Sequence, residues 1–222
     1  NKKLVINTIN PHSYCISKKD LLFQEALKKS DVLLPDGVGI IFANLLLNNK
    51  KIKKIAGYDL FLFLMKKMNV ENGTVFFLGS SESNLNVIKK KCLKEYPEIN
   101  LKYFSPPFKR SFTEEDSKLM LQKINKFKVN VLFVGMTAPK QEKWIHKHKN
   151  SINADVICGV GAVFDFYSGK IKRSKRFWNN LGLEWLIRFF QEPKRLFYRN
   201  FVSTPKFILE IISVKLFNKK LL

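Results

Sequence analysis

The sequence predicts an α/β fold: a largely parallel sheet with helices on both faces, followed by a mainly helical C-terminal appendage. Three observations carry this expectation. Short apolar runs rich in Val, Ile, Leu and Phe alternate with segments of helical periodicity. Most of these runs close on glycine or on Pro-Asp-Gly. After Gly169 the chain turns basic and aromatic. Such alternation marks strand–helix–strand units and a parallel sheet.

Leu4-Val5-Ile6-Asn7-Thr8 reads as the first strand, leading into the polar turn Asn10-Pro11-His12-Ser13. Lys18 to Lys29 carries Leu21, Leu22, Ala26 and Leu27 at helical spacing. Asp31 to Leu34 is an apolar run ending at Pro35-Asp36-Gly37, and Gly39 to Leu47 reads as a buried helix. Thr74 to Leu78 is a strand ending in Gly79-Ser80-Ser81, with a helix from Ser83 to Tyr96. Asn130 to Val134 ends at Gly135, and Ala154 to Cys158 ends at Gly159-Val160-Gly161. The sheet this implies is Rossmann-like, and ligands of such sheets bind at the carboxyl ends of the strands. The loops at Asp36, Gly79, Gly135 and Gly159 therefore gather along one edge. Residues 1–169 form the catalytic core on this reading, and 170–222 a basic appendage.

Composition narrows the function classes. Forty Lys and Arg against eighteen Asp and Glu leave a net charge of +22, which favours polyanions: nucleic acid, an anionic membrane or phosphorylated ligands. Cys15, Cys92 and Cys158 are far apart and form no CxxC, so neither a zinc site nor a redox pair is expected. No run approaches the roughly 18 apolar residues of a spanning helix. Lys2-Lys3 is followed only by Leu4-Val5-Ile6, too brief for a secretory signal.

Each motif has an ordinary reading beside a chemical one. Pro35-Asp36-Gly37 is a turn by composition, yet it aims a carboxylate into the strand-end cleft, where it can act as a general base. Thr8 and Asn10 can hydrogen-bond sugar hydroxyls, or can simply cap a helix. Gly79 and Ser80 suit a phosphate at a helix N-terminus, as many α/β turns do. Gly159-Val160-Gly161 lacks the third glycine of a dinucleotide fingerprint, because Phe164 stands there. Pro139-Lys140-Gln141-Glu142 puts an amide and a carboxylate at a helix start. His146 and His148, two residues apart on a helix, diverge, and no Asp-x-Asp occurs, so no metal or other cofactor is expected.

Taken together and in order, these segments resemble the WecG/TagA/CpsF glycosyltransferases. The blocks are Thr8-Ile9-Asn10, Leu34 to Gly39, Gly57-Tyr58-Asp59-Leu60, Phe77-Leu78-Gly79, Gly135 to Trp144, Gly159 to Asp165, Gly182 to Arg188 and Glu192 to Arg195. The resemblance covers nearly the whole chain. It implies inverting, metal-independent transfer of a sugar, commonly of N-acetylmannosamine type, from a UDP-sugar donor to an undecaprenyl-diphosphate-linked acceptor. It also implies peripheral attachment to the cytoplasmic face of the membrane. By the same resemblance Asp36 is the general base, and Thr8, Asn10 and Gln141 are active-site hydrogen-bonders. Gly37, Lys54, Gly57, Gly79, Ser80, Gly135 and Gly161 are candidate substrate contacts. Arg188, Arg195 and Arg199, with the backbone amides near Gly79 and Gly161, are candidate partners for the charge of departing UDP. Two departures bear on the donor. The family often carries Arg where this chain has Lys54, and Gly-x-Gly-x-Pro where it reads Gly135-Met136-Thr137-Ala138-Pro139.

In the appendage, Lys170, Lys172, Arg173, Lys175 and Arg176 precede Trp178, Trp185, Phe189, Phe190, Phe197, Tyr198 and Phe201, interleaved with Arg188, Lys194, Arg195 and Arg199. A helical pattern follows Pro205. Such a segment can lie in an anionic interface, or can pack its aromatics on the core with its charges solvated. A nucleic-acid-binding protein and a catalytically inactive membrane adaptor are the rival readings. The strand-end glycines and the lack of a nucleic-acid motif speak against the first, so no nucleic-acid partner is expected; Asp36 with Gln141 speaks against the second, which an activity assay decides. The reading leaves room for a homo-oligomer.

Overall fold

The computed structural model describes residues 3–172 and 184–217. Six strands form one all-parallel sheet: β1 (Leu4–Ile9), β2 (Val32–Pro35), β3 (Thr74–Gly79), β4 (Asn100–Phe104), β5 (Val129–Gly135) and β6 (Ala154–Gly159), in the order β2-β1-β6-β5-β3-β4. Around it lie α1 (Pro11–Ser17), α2 (Leu21–Lys28), α3 (Val38–Asn48), α4 (Gly57–Val70), α5 (Glu82–Glu95), α6 (Glu114–Asn125), α7 (Lys140–His148) and α8 (Val163–Ser168).

The pleat divides the core. Val75, Phe77, Val131, Phe133 and Cys158 face α4, α5 and α8, while Phe76, Leu78, Leu132, Val134 and Ile157 face α6 and α7. A strand covered on both faces needs apolar residues at every position, so the central strands read as unbroken apolar runs. Polar residues set the helix starts. Asn10, Asp20, Ser81 and Thr113 each accept a backbone N–H three residues on. Thr113 does so in a capping box with Asp116, which accounts for the acidic run Glu114-Glu115-Asp116.

Three expectations need correction. The polar turn read over Asn10-Pro11-His12-Ser13 is the start of helix α1, capped by Asn10. Edge strand β4 is absent from the sequence reading, because Lys102 interrupts a short run that is only half covered. The helix expected to be buried, α3, buries only Gly39 and Ala43, while Val38, Phe42 and Leu45 are 48, 41 and 47% exposed. It lies beyond edge strand β2 and is covered along one stripe only.

The C-terminal region contributes α9 (Glu184–Gln191), α10 (Pro193–Phe197), a π-helical turn (Tyr198–Ser203) and α11 (Thr204–Phe217). Phe207 and Ile211 of α11 are buried against Ala43 of α3, and the Phe207 ring meets Tyr14 of α1 edge-on at 5.1 Å. Glu210 accepts from Tyr14 Oη at 3.0 Å and Lys18 Nζ at 2.6 Å. The other aromatics cluster among themselves. Trp185, Phe189 and Phe197 all touch Phe201, yet Trp185, Phe190, Phe197 and Phe201 stay 41 to 73% exposed. Arg173, Lys175, Arg176, Trp178, Gly182 and Lys220 lie outside the described residues, as does the Glu184 side chain.

Candidate active site

The chain leaves β5 toward β6 and leaves β3 toward β4, so these neighbouring strands diverge and open a crevice at their carboxyl ends. Gly79 and Gly135 sit opposite each other there. A Cβ on Gly79 would lie 2.3 Å from the Gly135 carbonyl oxygen, and Gly79 has φ +119°. Only glycine allows that approach. The Phe164 ring lies against Gly135, where a Cβ would come within 2.2 Å of it. Thus the residue that breaks the dinucleotide fingerprint fills space beneath the crevice.

A cleft of about 410 Å³ runs from this point toward β1 and the C-terminal helices. It brings together Thr8, Asn10 and Asp36, the strand-end residues Gly79, Ser80, Gly135 and Gly161, Gly57 and Gln141, and the arginines Arg188, Arg195 and Arg199. These twelve residues come from segments well separated along the chain. Gly37 and Lys54 are the two candidates that do not line it. Gly37, at φ +96°, makes the turn from Asp36 into α3. Lys54 belongs to the loop whose Ile55 N–H bonds the Pro35 carbonyl at 3.2 Å, beside the Asp36 turn.

Local bonds define what each group can do. Asp36 is held by its own N–H to the Ile9 carbonyl at 2.8 Å, so its turn is fixed to the end of β1. Asn10 Oδ1 accepts the Ser13 N–H at 3.0 Å, the capping role anticipated as its ordinary reading. Ser80, at φ 61°, accepts from Asn84 Nδ2 at 2.8 Å, and the same amide reaches Asp165 Oδ1 at 3.3 Å. Gln141 Oε1 accepts the Met136 N–H at 3.2 Å and the Gly161 N–H at 3.0 Å, while Nε2 donates to Glu142 Oε1 at 2.8 Å. Both ends of the Gln141 amide therefore have partners within the protein, and the Gly161 N–H has one too.

The arginine wall rests on the C-terminal helices. The Arg188 guanidinium lies 4.9 Å above the Phe166 ring, and Arg195 pairs with Glu192 at 2.7 Å. His12 Nδ1 and Ser203 Oγ are 2.8 Å apart, and Cys15 Sγ donates to the Ser203 carbonyl at 3.3 Å, so the π-helical turn carrying Arg199 is tied to α1. Burial, with Arg199 nearby, holds the His12 imidazole below its ordinary value. His146 sits 3.9 Å from Glu25, whereas His148 stacks near Trp144, so the two histidines do diverge. Among the described residues no three His, Cys, Asp or Glu side chains gather as a metal site.

His12, Tyr58, Phe108, Phe112, Glu142, Asp165 and Lys170 also line the cleft, though none was assigned a site role from the sequence. Tyr58, Glu142 and Asp165 stand inside the blocks singled out above, so their position was a signal. The loop of Phe108 and Phe112 offered none beyond Pro106-Pro107.

An all-parallel sheet with a cleft at its switch point, lined by hydroxyl, amide and carboxylate groups and walled by arginines, has the architecture of an α/β enzyme. More narrowly, the chain belongs to the Glycosyl transferase WecG/TagA/CpsF family, whose model it matches over residues 1–221, and is thus a glycosyltransferase. It is 31% identical over 208 residues to the N-acetylglucosaminyldiphosphoundecaprenol N-acetyl-beta-D-mannosaminyltransferase of Bacillus subtilis (strain 168), covering 94% of this chain and 78% of that one. It is 29% identical to the enzyme of the same name from Bacillus spizizenii (strain ATCC 23059 / NRRL B-14472 / W23), with 96 and 80% covered. It is 27% identical to that of Staphylococcus aureus (strain MW2), with 96 and 81% covered.

Proposed function

We propose that this enzyme transfers N-acetylmannosamine from a UDP-linked donor to the N-acetylglucosamine of an undecaprenyl-diphosphate-linked acceptor, with Asp36 as general base. The observation that carries the reading is the convergence of Asp36, Thr8 and Asn10, from the ends of β1 and β2, on a cleft that also holds the Gly79–Gly135 pair and three arginines. The acceptor hydroxyl attacks the anomeric carbon of the donor from the face opposite UDP, and inversion follows. Its proton passes to the Asp36 carboxylate as the new bond forms. The bond to UDP breaks, and its electron pair leaves on the diphosphate. Arg188, Arg195 and Arg199 meet that charge, helped by the N-terminus of α5 behind Gly79.

The acceptor is a lipid, so the enzyme works at the bilayer, peripherally and on its cytoplasmic face. No helix among the described residues is long and apolar enough to cross a membrane. Leu209, Leu216 and Phe217 of α11 are 68, 71 and 68% exposed, in a helix that also carries Lys206 and Lys215. Exposed apolar residues beside lysines suit an anionic interface.

Asp36→Asn tests the chemistry. It nearly conserves shape and removes the base, so turnover should drop by about 10²–10⁴ while UDP-sugar binding, measured calorimetrically, persists. Near-normal turnover in the variant would remove Asp36 from the role.

A further inference from the structure

Glu142 stands next to Gln141 in the floor of the cleft and has no part in the chemistry above. Only 3% of it is exposed. One carboxylate oxygen, Oε1, accepts from Gln141 Nε2 at 2.8 Å. The other, Oε2, is buried with no hydrogen-bond partner among the described residues. An unpaired buried carboxylate oxygen is costly and calls for a reason.

What the paired oxygen does is seen at the Gln141 amide. Its Oε1 receives two backbone N–H groups, from Met136 just after β5 and from Gly161 just after β6. A side-chain amide can be turned over about its last torsion at little steric cost. Turned over, Gln141 would present N–H groups to two backbone N–H donors, and both bonds would be lost. The choice is set by what faces the other end of the amide. A carboxylate oxygen only accepts when ionised, and when protonated it still keeps a carbonyl oxygen that accepts. Burial pushes the Glu142 carboxyl up to about 7, so both forms occur near neutrality and both hold Nε2. The amide also lies directly over Gly159, where a Cβ would come within 3.2 Å of Gln141 Nε2 and 2.4 Å of Asn7 Oδ1. The Gln141 head is thereby wedged between the ends of β1, β5 and β6.

We infer that Glu142 is a positioning residue: by accepting from Gln141 Nε2 it fixes the orientation of that amide, which ties the loops after β5 and β6 into the cleft floor. Glu142 lines the cleft, but its Oε2 is buried and its Oε1 is engaged by Gln141, so the role argued for it runs through that amide. The inference rests on the glycosyltransferase reading of this cleft.

Three substitutions in the full chain separate this role from mere packing. Glu142→Gln keeps an acceptor at the same reach, Glu142→Asp draws it back by one methylene, and Glu142→Met fills the space without a carboxyl oxygen. Sugar transfer to a lipid-linked acceptor and melting temperature are measured for each. Glu142→Gln should stay within about threefold of wild type, whereas Glu142→Met should lose about 10²-fold, mostly in kcat, because a shift of about 1 Å in the floor is enough for that. Glu142→Asp should fall between them even if it melts as high as wild type. Should Glu142→Met fail to fold, the order of the Gln and Asp variants still decides. Activity that follows melting temperature instead of acceptor reach, or a Gln variant as impaired as the Asp variant, overturns the inference. A wild-type enzyme that transfers no sugar from any UDP donor fails the functional reading itself and is recognised before any variant is compared.

Discussion

Phe207→Ala should release the C-terminal helix without unfolding the sheet. Only Phe207 and Ile211 of α11 are fully buried, each 2% exposed. At about 1.5–3 kcal/mol per buried side chain, they supply roughly 3–6 kcal/mol of docking. The Lys18–Glu210 ion pair is partly exposed, at 29 and 22%, and adds about 0–1 kcal/mol after solvent screening. Truncating a buried Phe costs about 3–5 kcal/mol, so the substitution removes half or more of what holds α11. A helix of 14 residues is marginal once undocked. Hydrogen exchange is the assay. Amide protection in α11 should fall by about 10²–10³-fold, since each 1.4 kcal/mol is roughly tenfold, while that of β5 should not change. Turnover should fall with it, because the Arg199 turn is anchored by Ser203 at the start of this helix. Unchanged protection in α11, or an equal loss in β5, would refute the reasoning.

Two further outcomes are expected. The double substitution Leu209→Asn and Leu216→Asn touches only exposed positions and should leave the melting temperature alone but weaken co-sedimentation with anionic vesicles; undiminished binding at low and high salt would count against α11 as the lipid-facing element. Burial raises the Glu142 carboxyl from 4.5 to about 7, so its folded state prefers the proton, and the stability it contributes is present below about pH 4.5 and lost as pH rises through 7. Between about pH 4.5 and 8, wild type should therefore lose on the order of 3 kcal/mol relative to Glu142→Gln in urea unfolding, and parallel curves for the two would show that the carboxyl is not so displaced.

Much of the candidate site was legible in the sequence because its residues sit at strand ends. An apolar run followed by glycine or Pro-Asp-Gly marks the carboxyl end of a strand, and parallel strands place all such ends on one edge. That is why Asp36, Gly79, Gly135 and Gly161 were found together. Gln141 was found by its motif, but its bonding was hidden, since its partners Met136 and Gly161 are brought together by the pairing of β5 with β6. Glu142 looked like an ordinary acidic residue in a helix first turn, because burial of one side chain is not written in its neighbours. β4 and the exposed stripe of α3 were misjudged for a related reason. Both lie at the sheet's edges, where apolarity no longer reports burial.

By itself the sequence determined most element types, the parallel sheet and the edge on which the strand-end residues gather, because these follow from local periodicity and from the short range of turn chemistry. The tertiary structure alone decided the strand order β2-β1-β6-β5-β3-β4, and with it the crevice between β3 and β5. It alone brought Arg195 and Arg199 over a cleft built from earlier segments of the chain, by burying Phe207 and Ile211 against α3 and tying Ser203 to α1. Docking of that kind depends on the fit of surfaces distant in the chain, and no local pattern carries it.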